Sequence, residues 1–268
     1  MKLLSLNVHA WIEEDAQAKL NQLIDHLMAE DYDWIALQEV NQTIGAPEAQ
    51  SLKGFIPTAD QQQILADNYA WCLVQALNAQ GQSYYWAWAY NHIGYDRYQE
   101  GVALLSKQPF QADRVLLSER DDPSDYRTRA ALVGSRDGIQ VASCHLSWWQ
   151  EEGGFQAEWH SLANHLEDFQ SPTLLLGDFN APAHLRDQSY DLATERLQDA
   201  YIQADNRTGS STVPSGIDGW SDTEIAQRID LVLTTPDFHI YDYQSVLDGI
   251  HGPIVSDHYG IQVTLDSL

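Results

Sequence analysis

Alternation of apolar and polar positions opens the chain on a strand, Lys2 to Val8, which runs out at Asn7-Val8-His9. Ala16, Leu20, Leu23, Ile24, Leu27 and Met28 then recur at helical spacing and predict an amphipathic helix over about residues 15 to 30. Asp33 to Glu39 reads as a second, short strand. A strand–helix–strand opening implies a sheet with a helix packed on it. If the two strands are parallel, Asn7 and Glu39 leave the sheet at the same end. Residues 41–66 show no period and hold two prolines, so they read as a long loop. Loops of that length are usually functional or mobile, and this one is a candidate lid.

Helical spacing returns from Asn68 to Ala79 through Tyr69, Cys72, Leu73 and Leu77. Short runs follow at turn-bounded spacing: Tyr84–Tyr90, Gly101–Ser106, Arg114–Leu117, Arg129–Val133 and Ile139–Leu146. That is the pattern of an antiparallel meander or sandwich. Gly154 to Phe169 predicts a helix with Trp159, Leu162, Ala163 and Leu166 on one face. An irregular helical stretch lies near residues 187–198, and strands at Ile229–Leu233, His239–Tyr243 and Gly260–Leu265 close the chain. Helices flanking many strands give an α+β class, two sheets face to face with helices outside. No linker or internal repeat divides the sequence, so residues 1–268 read as a single domain.

Thr173-Leu-Leu-Leu-Gly-Asp178-Phe-Asn180-Ala-Pro182 organises the second half. Three leucines entered through Pro172 read as a strand buried on both faces, and Gly177 is expected to break it. Residues two apart in extended backbone point the same way, so Asp178 and Asn180 would project together from a rigid strand end. An Asx turn closing a strand explains the same residues equally simply.

Polar groups stand at five further strand ends: Asn7, Glu39, His145, Asp230 and the Asp257/His258 pair. In Arg228-Ile-Asp-Leu-Val-Leu233 the residues Ile229, Leu231 and Leu233 take one buried face, so Asp230 points the other way. An unpartnered carboxylate there would be costly, and an imidazole would offset the cost. Glu39, Asn7 and Asp257 offer oxygens, a set suited to Mg²⁺ or Mn²⁺. No CxxC or HExxH pattern suggests zinc. His160 and His165 lie off one helix face and read as solvated surface.

Composition narrows the partners. The net charge is −25, with 39 acidic against 14 basic residues, which disfavours nucleic acid and anionic membrane. A small anionic substrate held by a metal ion remains open. The first eight residues are too short an apolar run for a signal peptide, and nothing approaches a bilayer-spanning length. Cys72 and Cys144, in apolar surroundings, read as buried free thiols, and a cytoplasmic location is expected.

Leu37-Gln-Glu39, Ser143-Cys-His145-Leu, Gly177-Asp-Phe-Asn180, Arg228-Ile-Asp230 and Ser256-Asp-His258 occur in the order found in one known group. Through them the chain, from Ser5 to Gly260, resembles the endonuclease/exonuclease/phosphatase superfamily of DNase I-like phosphoesterases. The resemblance implies a four-layer αββα sandwich. It also implies that Glu39, with Asn7 and Asp257, holds a divalent ion against a phosphate oxygen. Asp178 would orient or deprotonate the attacking water, with Asn180 fixing its geometry. His258, paired to Asp230, and His145 would contact the phosphate. Glu100 aligns with a carboxylate expected to orient His145, and Arg129 with a phosphate-contacting arginine for which Arg127 competes.

Superfamily substrates include nucleic acids, phospholipids, inositol phosphates and sugar phosphates. Aromatic residues surround the candidate site in sequence: Tyr84, Tyr85, Trp86, Trp88 and Tyr90, then Trp148, Trp149 and Trp220. Such rings stack on sugar faces, although Trp86 and Trp88 fit core packing equally well. Of Trp148 and Trp149, adjacent and therefore opposed, one is expected in the core and one near the site. Within the superfamily the chain is most similar to the maltose 6′-phosphate phosphatase group of lactic-acid bacteria. The segments concerned are Leu6–Trp11, Leu37–Gln42, Asp67–Tyr69, Asn91–Gly101 and Ala226–Asp230. That likeness makes His92, Tyr95, Asp96 and Arg97 candidates for reading sugar or phosphate, although a simple turn around Gly94 accounts for them as well. The expectation is a Mg²⁺-dependent phosphomonoesterase acting on a disaccharide phosphate. A nuclease or other phosphodiesterase with the same catalytic set is one alternative, and a catalytically idle binding module is another.

Overall fold

Two sheets lie face to face, with helices on their outer surfaces. The computed structural model describes residues 1–217, 219–220 and 223–267. The first sheet contains β1 (Lys2–Asn7), β2 (Trp34–Thr43), β3 (Tyr85–Gly94), β4 (Tyr98–Ser106), β10 (Asn206–Thr208), β12 (Phe238–Val246) and β13 (Gly260–Ser267). Its order is β10-β12-β13-β1-β2-β4-β3. The second sheet contains β5 (Gln111–Leu116), β6 (Ala130–Arg136), β7 (Ile139–His145), β8 (Thr173–Asp178), β9 (Gln198–Asp199) and β11 (Asp230–Thr234). Its order is β5-β6-β7-β8-β11-β9. Both sheets mix parallel and antiparallel pairs.

Three apolar layers follow from side-chain alternation. Leu4 and Leu6 of β1 pack outward against α1 (Ala16–Glu30) and α2 (Tyr69–Ala79) through Leu20, Leu23, Leu27, Leu73 and Leu77. Leu3 faces inward and meets Val141, Leu174, Leu176 and Val232 between the sheets. Leu175, Leu231 and Leu233 face outward again, onto Phe155, Trp159 and Leu162 of α3 (Phe155–His165). Helix, sheet, sheet, helix is the αββα arrangement, and the class is α+β. Asn68 caps α2, its side chain accepting from Trp71 N at 3.1 Å.

Several predicted bounds shift. Gly177 does not break β8; the strand continues through it to Asp178, and β11 pairs along the same stretch. A Cβ on Gly177 would sit 1.9 Å from the Cys144 carbonyl oxygen, so the glycine is there for close approach of β7. β2 runs on to Thr43, so the loop starts later than expected. That loop is held along β3, through Ile56 N to Trp86 O at 2.7 Å and Phe55 against the Trp86 ring. None of residues 44–66 lines the cavity described below. No helix among the described residues is long and apolar enough to cross a membrane.

Candidate active site

Three polar residues end three neighbouring strands abreast. His145 is in register with Asp178, and Asp178 with Asp230, at the inter-sheet edge of β7, β8 and β11. Asp230 shares a face with Val232, which is buried between the sheets, so both faces of β11 are interior and an exposed Asp230 is excluded. Its carboxylate meets His258 Nδ1 at 3.1 and 3.0 Å. Asn180, at φ 46°, donates its backbone N–H to Asp178 Oδ1 at 2.9 Å. The Asx turn and the projecting pair are thus one structure. Thr212 Oγ1 accepts from the N–H groups of Ile229 and Asp230 at 3.1 Å each, anchoring the strand entry.

The facing sheet supplies the other half. β1 and β2 are parallel, with Asn7 opposite Gln38, so Asn7 and Glu39 do leave at one end. Leu37 and Val40 both face the helices, which alternation forbids for residues three apart; a bulge between them absorbs the mismatch. Glu39, at φ 53°, occupies that bulge, a strained backbone that turns its carboxylate toward Asn7. Asn7 Nδ2 donates to Glu39 Oε1 at 2.7 Å and to Asp178 Oδ2 at 3.1 Å, tying the sheets together. Its Oδ1 accepts from His9 N at 3.1 Å.

Electrostatics divide the two histidines. Burial would lower His258, but the Asp230 and Asp178 carboxylates overcome it and raise the imidazole to about 10. His145 is held well below its ordinary value by burial, with Arg129, His92 and His258 adding to the effect. Its Nδ1 lies 3.5 Å from Arg129 Nη1, as an unprotonated acceptor would. Burial and Asp230 push Asp178 up to about 6. Burial, then Glu100, push Glu39 to about 8.

A cavity of about 300 Å³ opens over these groups. His9, Glu39, Glu100, Arg129, His145, Asp178, Asn180, Asp257 and His258 form its floor, and His92, Tyr95, Tyr126, Trp148 and Trp220 line it as well. The family model for the Endonuclease/Exonuclease/phosphatase family matches residues 6–258. The chain belongs to that family. An endonuclease/exonuclease/phosphatase family protein from Leptotrichia buccalis superposes with a TM-score of 0.86 at 27% identity, covering 99% of each chain. A mannosyl-6-phosphatase from Bacteroides thetaiotaomicron gives a TM-score of 0.65 at 17% identity, again over 99% of each chain. A 3′-5′ exonuclease from Neisseria meningitidis gives 0.65 at 18%, over 99% of this chain and 100% of the other. The last two establish a shared fold. No curated protein sequence matches.

Family members hydrolyse phosphoesters and generally use divalent metal ions. The residues here fit such an ion. Glu39, His145 and Asp178 bring one ligand atom each within 4.8 Å of one another. Glu39 stands half-buried near the carboxylates of Glu100 and Asp257 with its proton tightly held, which is the condition a hard cation relieves.

Some expected roles are not met. Asn7 turns its amide nitrogen to the carboxylates here, bridging Glu39 and Asp178. Asp257 groups with His9 and Glu13, its Oδ1 3.6 Å from His9 Nδ1, and it shares the cavity with Glu39, whose proton its charge helps to hold. Glu100 does not orient His145: its Oε1 is 3.4 Å from His92 Nε2, the residue opposite it across β3 and β4. Arg97 lies over the Tyr98 ring, and neither it nor Asp96 lines the cavity. Arg127 is engaged by Asp125 at 2.8 and 2.7 Å, which leaves Arg129 as the cavity arginine. Trp86 and Trp88 are core; Trp88 Nε1 donates to Val40 O at 2.9 Å. Trp148 lines the cavity and Trp149 packs on the α3 core, as their opposed directions required.

Sequence reasoning missed His9, Glu13, Tyr126, Ser147 and Glu158. His9 stands two residues after Asn7, a spacing that could have flagged it, and Glu13 bonds its Nδ1 at 2.8 Å. Tyr126 carried no signal. Glu158, fully buried on α3, accepts from Ser147 N at 2.7 Å and Ser147 Oγ at 2.6 Å. Ser147 Oγ in turn receives Arg129 Nε at 3.4 Å, so the chain of contacts steadies the guanidinium.

Proposed function

We propose that this protein is a Mg²⁺-dependent phosphomonoesterase of the cytoplasm, one catalytic domain acting on a phosphorylated sugar, in particular a disaccharide 6′-phosphate such as maltose 6′-phosphate. The observation that carries this reading is the cavity itself. Arg129 is the one arginine or lysine lining it among the described residues, while Tyr95, Tyr126, Trp148 and Trp220 supply aromatic surface. One guanidinium suits one phosphate group, and aromatic faces suit a neutral sugar ring. The likeness to a mannosyl-6-phosphatase is in keeping with that class.

In the proposed reaction Asp178 acts as the carboxylate that orients and deprotonates the attacking water. Asn7 and the Asn180 N–H fix its two oxygens. His258, kept protonated by Asp230, sets a cation 3.8 Å from Asp178 Oδ2, where charge builds on the phosphoryl oxygens. Neutral His145 and Arg129 complete the phosphate contacts. A divalent ion held at Glu39 and Asp178 would supply Lewis-acid charge neutralisation to the phosphoryl group.

A nuclease with the same catalytic set is the competing reading, and the Neisseria exonuclease shows that the fold serves that class. It would require a row of basic side chains along the cavity for flanking phosphates, and among the described residues Arg129 is the one arginine or lysine in the lining. Phosphate release from maltose 6′-phosphate, with Mg²⁺, with EDTA and with Asp178→Asn, tests the proposal. We expect release that needs the metal and is lost in the variant; release indifferent to both would contradict it.

A further inference from the structure

Trp220 presents two surfaces to the site. Its ring lines the cavity, and its Nε1–H donates to Asn180 Oδ1 at 3.1 Å. Asn180 Nδ2 donates to the Leu146 carbonyl at 2.9 Å. The two contacts together fix which end of the amide is which: a flipped Asn180 would set N–H against N–H and oxygen against oxygen. What remains to face a ligand is one Nδ2 hydrogen and one Oδ1 lone pair, in a defined orientation.

The indole is itself firmly held. Trp220 packs on Val213, Ile217 and Ile229, the last of which leads directly into Asp230. Its backbone N–H reaches Ile217 O at 3.0 Å, and its carbonyl accepts from Thr223 N at 3.1 Å and Thr223 Oγ1 at 2.7 Å. A ring anchored this way can both bear on a substrate and hold Asn180.

We propose that Trp220 is a positioning residue: through its Nε1–H it sets the Asn180 amide, and through its face it contacts the sugar, so that filling the cavity wall and orienting the phosphoryl group are coupled. This rests on the reading of Asn180 as part of the phosphoester-hydrolysing set. Sequence reading assigned Trp220 to substrate stacking alone, because an indole N–H partner cannot be read from spacing.

Trp220→Phe keeps the ring and removes the donor; Trp220→Leu removes both. Rates on maltose 6′-phosphate and on glycerol phosphate, which has no sugar ring, separate edge from face. Trp220→Phe is expected to lower kcat about three- to tenfold on both substrates, the worth of one hydrogen bond, with little change in KM. Trp220→Leu is expected to raise KM further for the sugar phosphate alone. In a double-mutant cycle, Trp220→Phe with Asn180→Ala should be no slower than Asn180→Ala by itself. The ¹⁵N–¹H resonance of the Trp220 indole should move in Asn180→Ala, a readout independent of turnover. Multiplicative effects in the cycle, or an unmoved indole resonance, overturn the coupling. Wild-type kcat in Asn180→Ala overturns instead the reading of the site on which the coupling stands.

Discussion

Asp230 holds both carboxylate oxygens within 3.1 Å of His258 Nδ1, and both residues are buried, with the imidazole reaching the cavity floor. An imidazole buried without that partner would be neutral; with it, His258 stays a cation to about pH 10.

Asp230→Asn should therefore lower kcat by about 10²–10⁴-fold, in the range of lost acid–base or charge stabilisation, while pulling the alkaline limb of the pH profile downward. The sign for stability follows from the same pair. Because the folded-state value is raised, the contribution is complete below about pH 6.5 and is lost as pH climbs through about 10. The Tm gap between wild type and Asp230→Asn should shrink over that window. A constant gap would mean that the pair carries no charge.

Glu39 is a half-buried carboxylate pushed to about 8, so it weakens the metal-free fold as pH rises from its ordinary value through 8. Glu39→Gln should raise the Tm of the metal-free protein at pH 8 by about 2–4 °C per kcal/mol relieved. The same change should abolish stabilisation by Mg²⁺. In wild type, apparent metal affinity should fall as pH drops below 8, because the ion must displace a proton. Calorimetric titration at pH 6 and 8 checks this.

Arg129 and Arg127 are two residues apart yet differ in fate, one facing the cavity and one engaged by Asp125. Arg129→Ala should weaken inhibition by inorganic phosphate about 10–100-fold, the range for a charge-assisted contact. Arg127→Ala should change it little. Equal effects would remove Arg129 from the phosphate contacts.

Trp88 and Trp148 separate core from site. Trp88→Ala should cost about 3–5 kcal/mol of stability as a fully buried ring. Trp148→Ala should leave the melting curve much closer to wild type and raise KM for the sugar phosphate. Urea denaturation beside steady-state kinetics distinguishes the two.

Much of this arrangement was legible because strands impose a period of two. Leu174 to Leu176 and Leu231 to Leu233 declare strands buried on both faces, and Asp178 and Asp230 then end up on the inward face. Parity failed wherever a bulge intervened. The strand carrying Glu39 runs four residues further than alternation suggests, because the bulge at Glu39 resets the phase. Contacts made between neighbouring strands and between layers were invisible for a different reason. Glu100 meets His92 rather than His145, and Ser147 links Glu158 to Arg129, through pairings that only the packed sheets and α3 determine.

Substrate competition separates a sugar phosphatase from a nuclease. With Mg²⁺ present, kcat/KM would be compared for maltose 6′-phosphate, a nucleoside monophosphate and a 3′-phosphorylated DNA hairpin, with plasmid nicking run alongside and Asp178→Asn as the control for contaminants. The disaccharide phosphate is expected to be hydrolysed fastest, dependent on Asp178, without nicking. Nicking or DNA dephosphorylation that is lost in Asp178→Asn, with no turnover of the sugar phosphate, would contradict it.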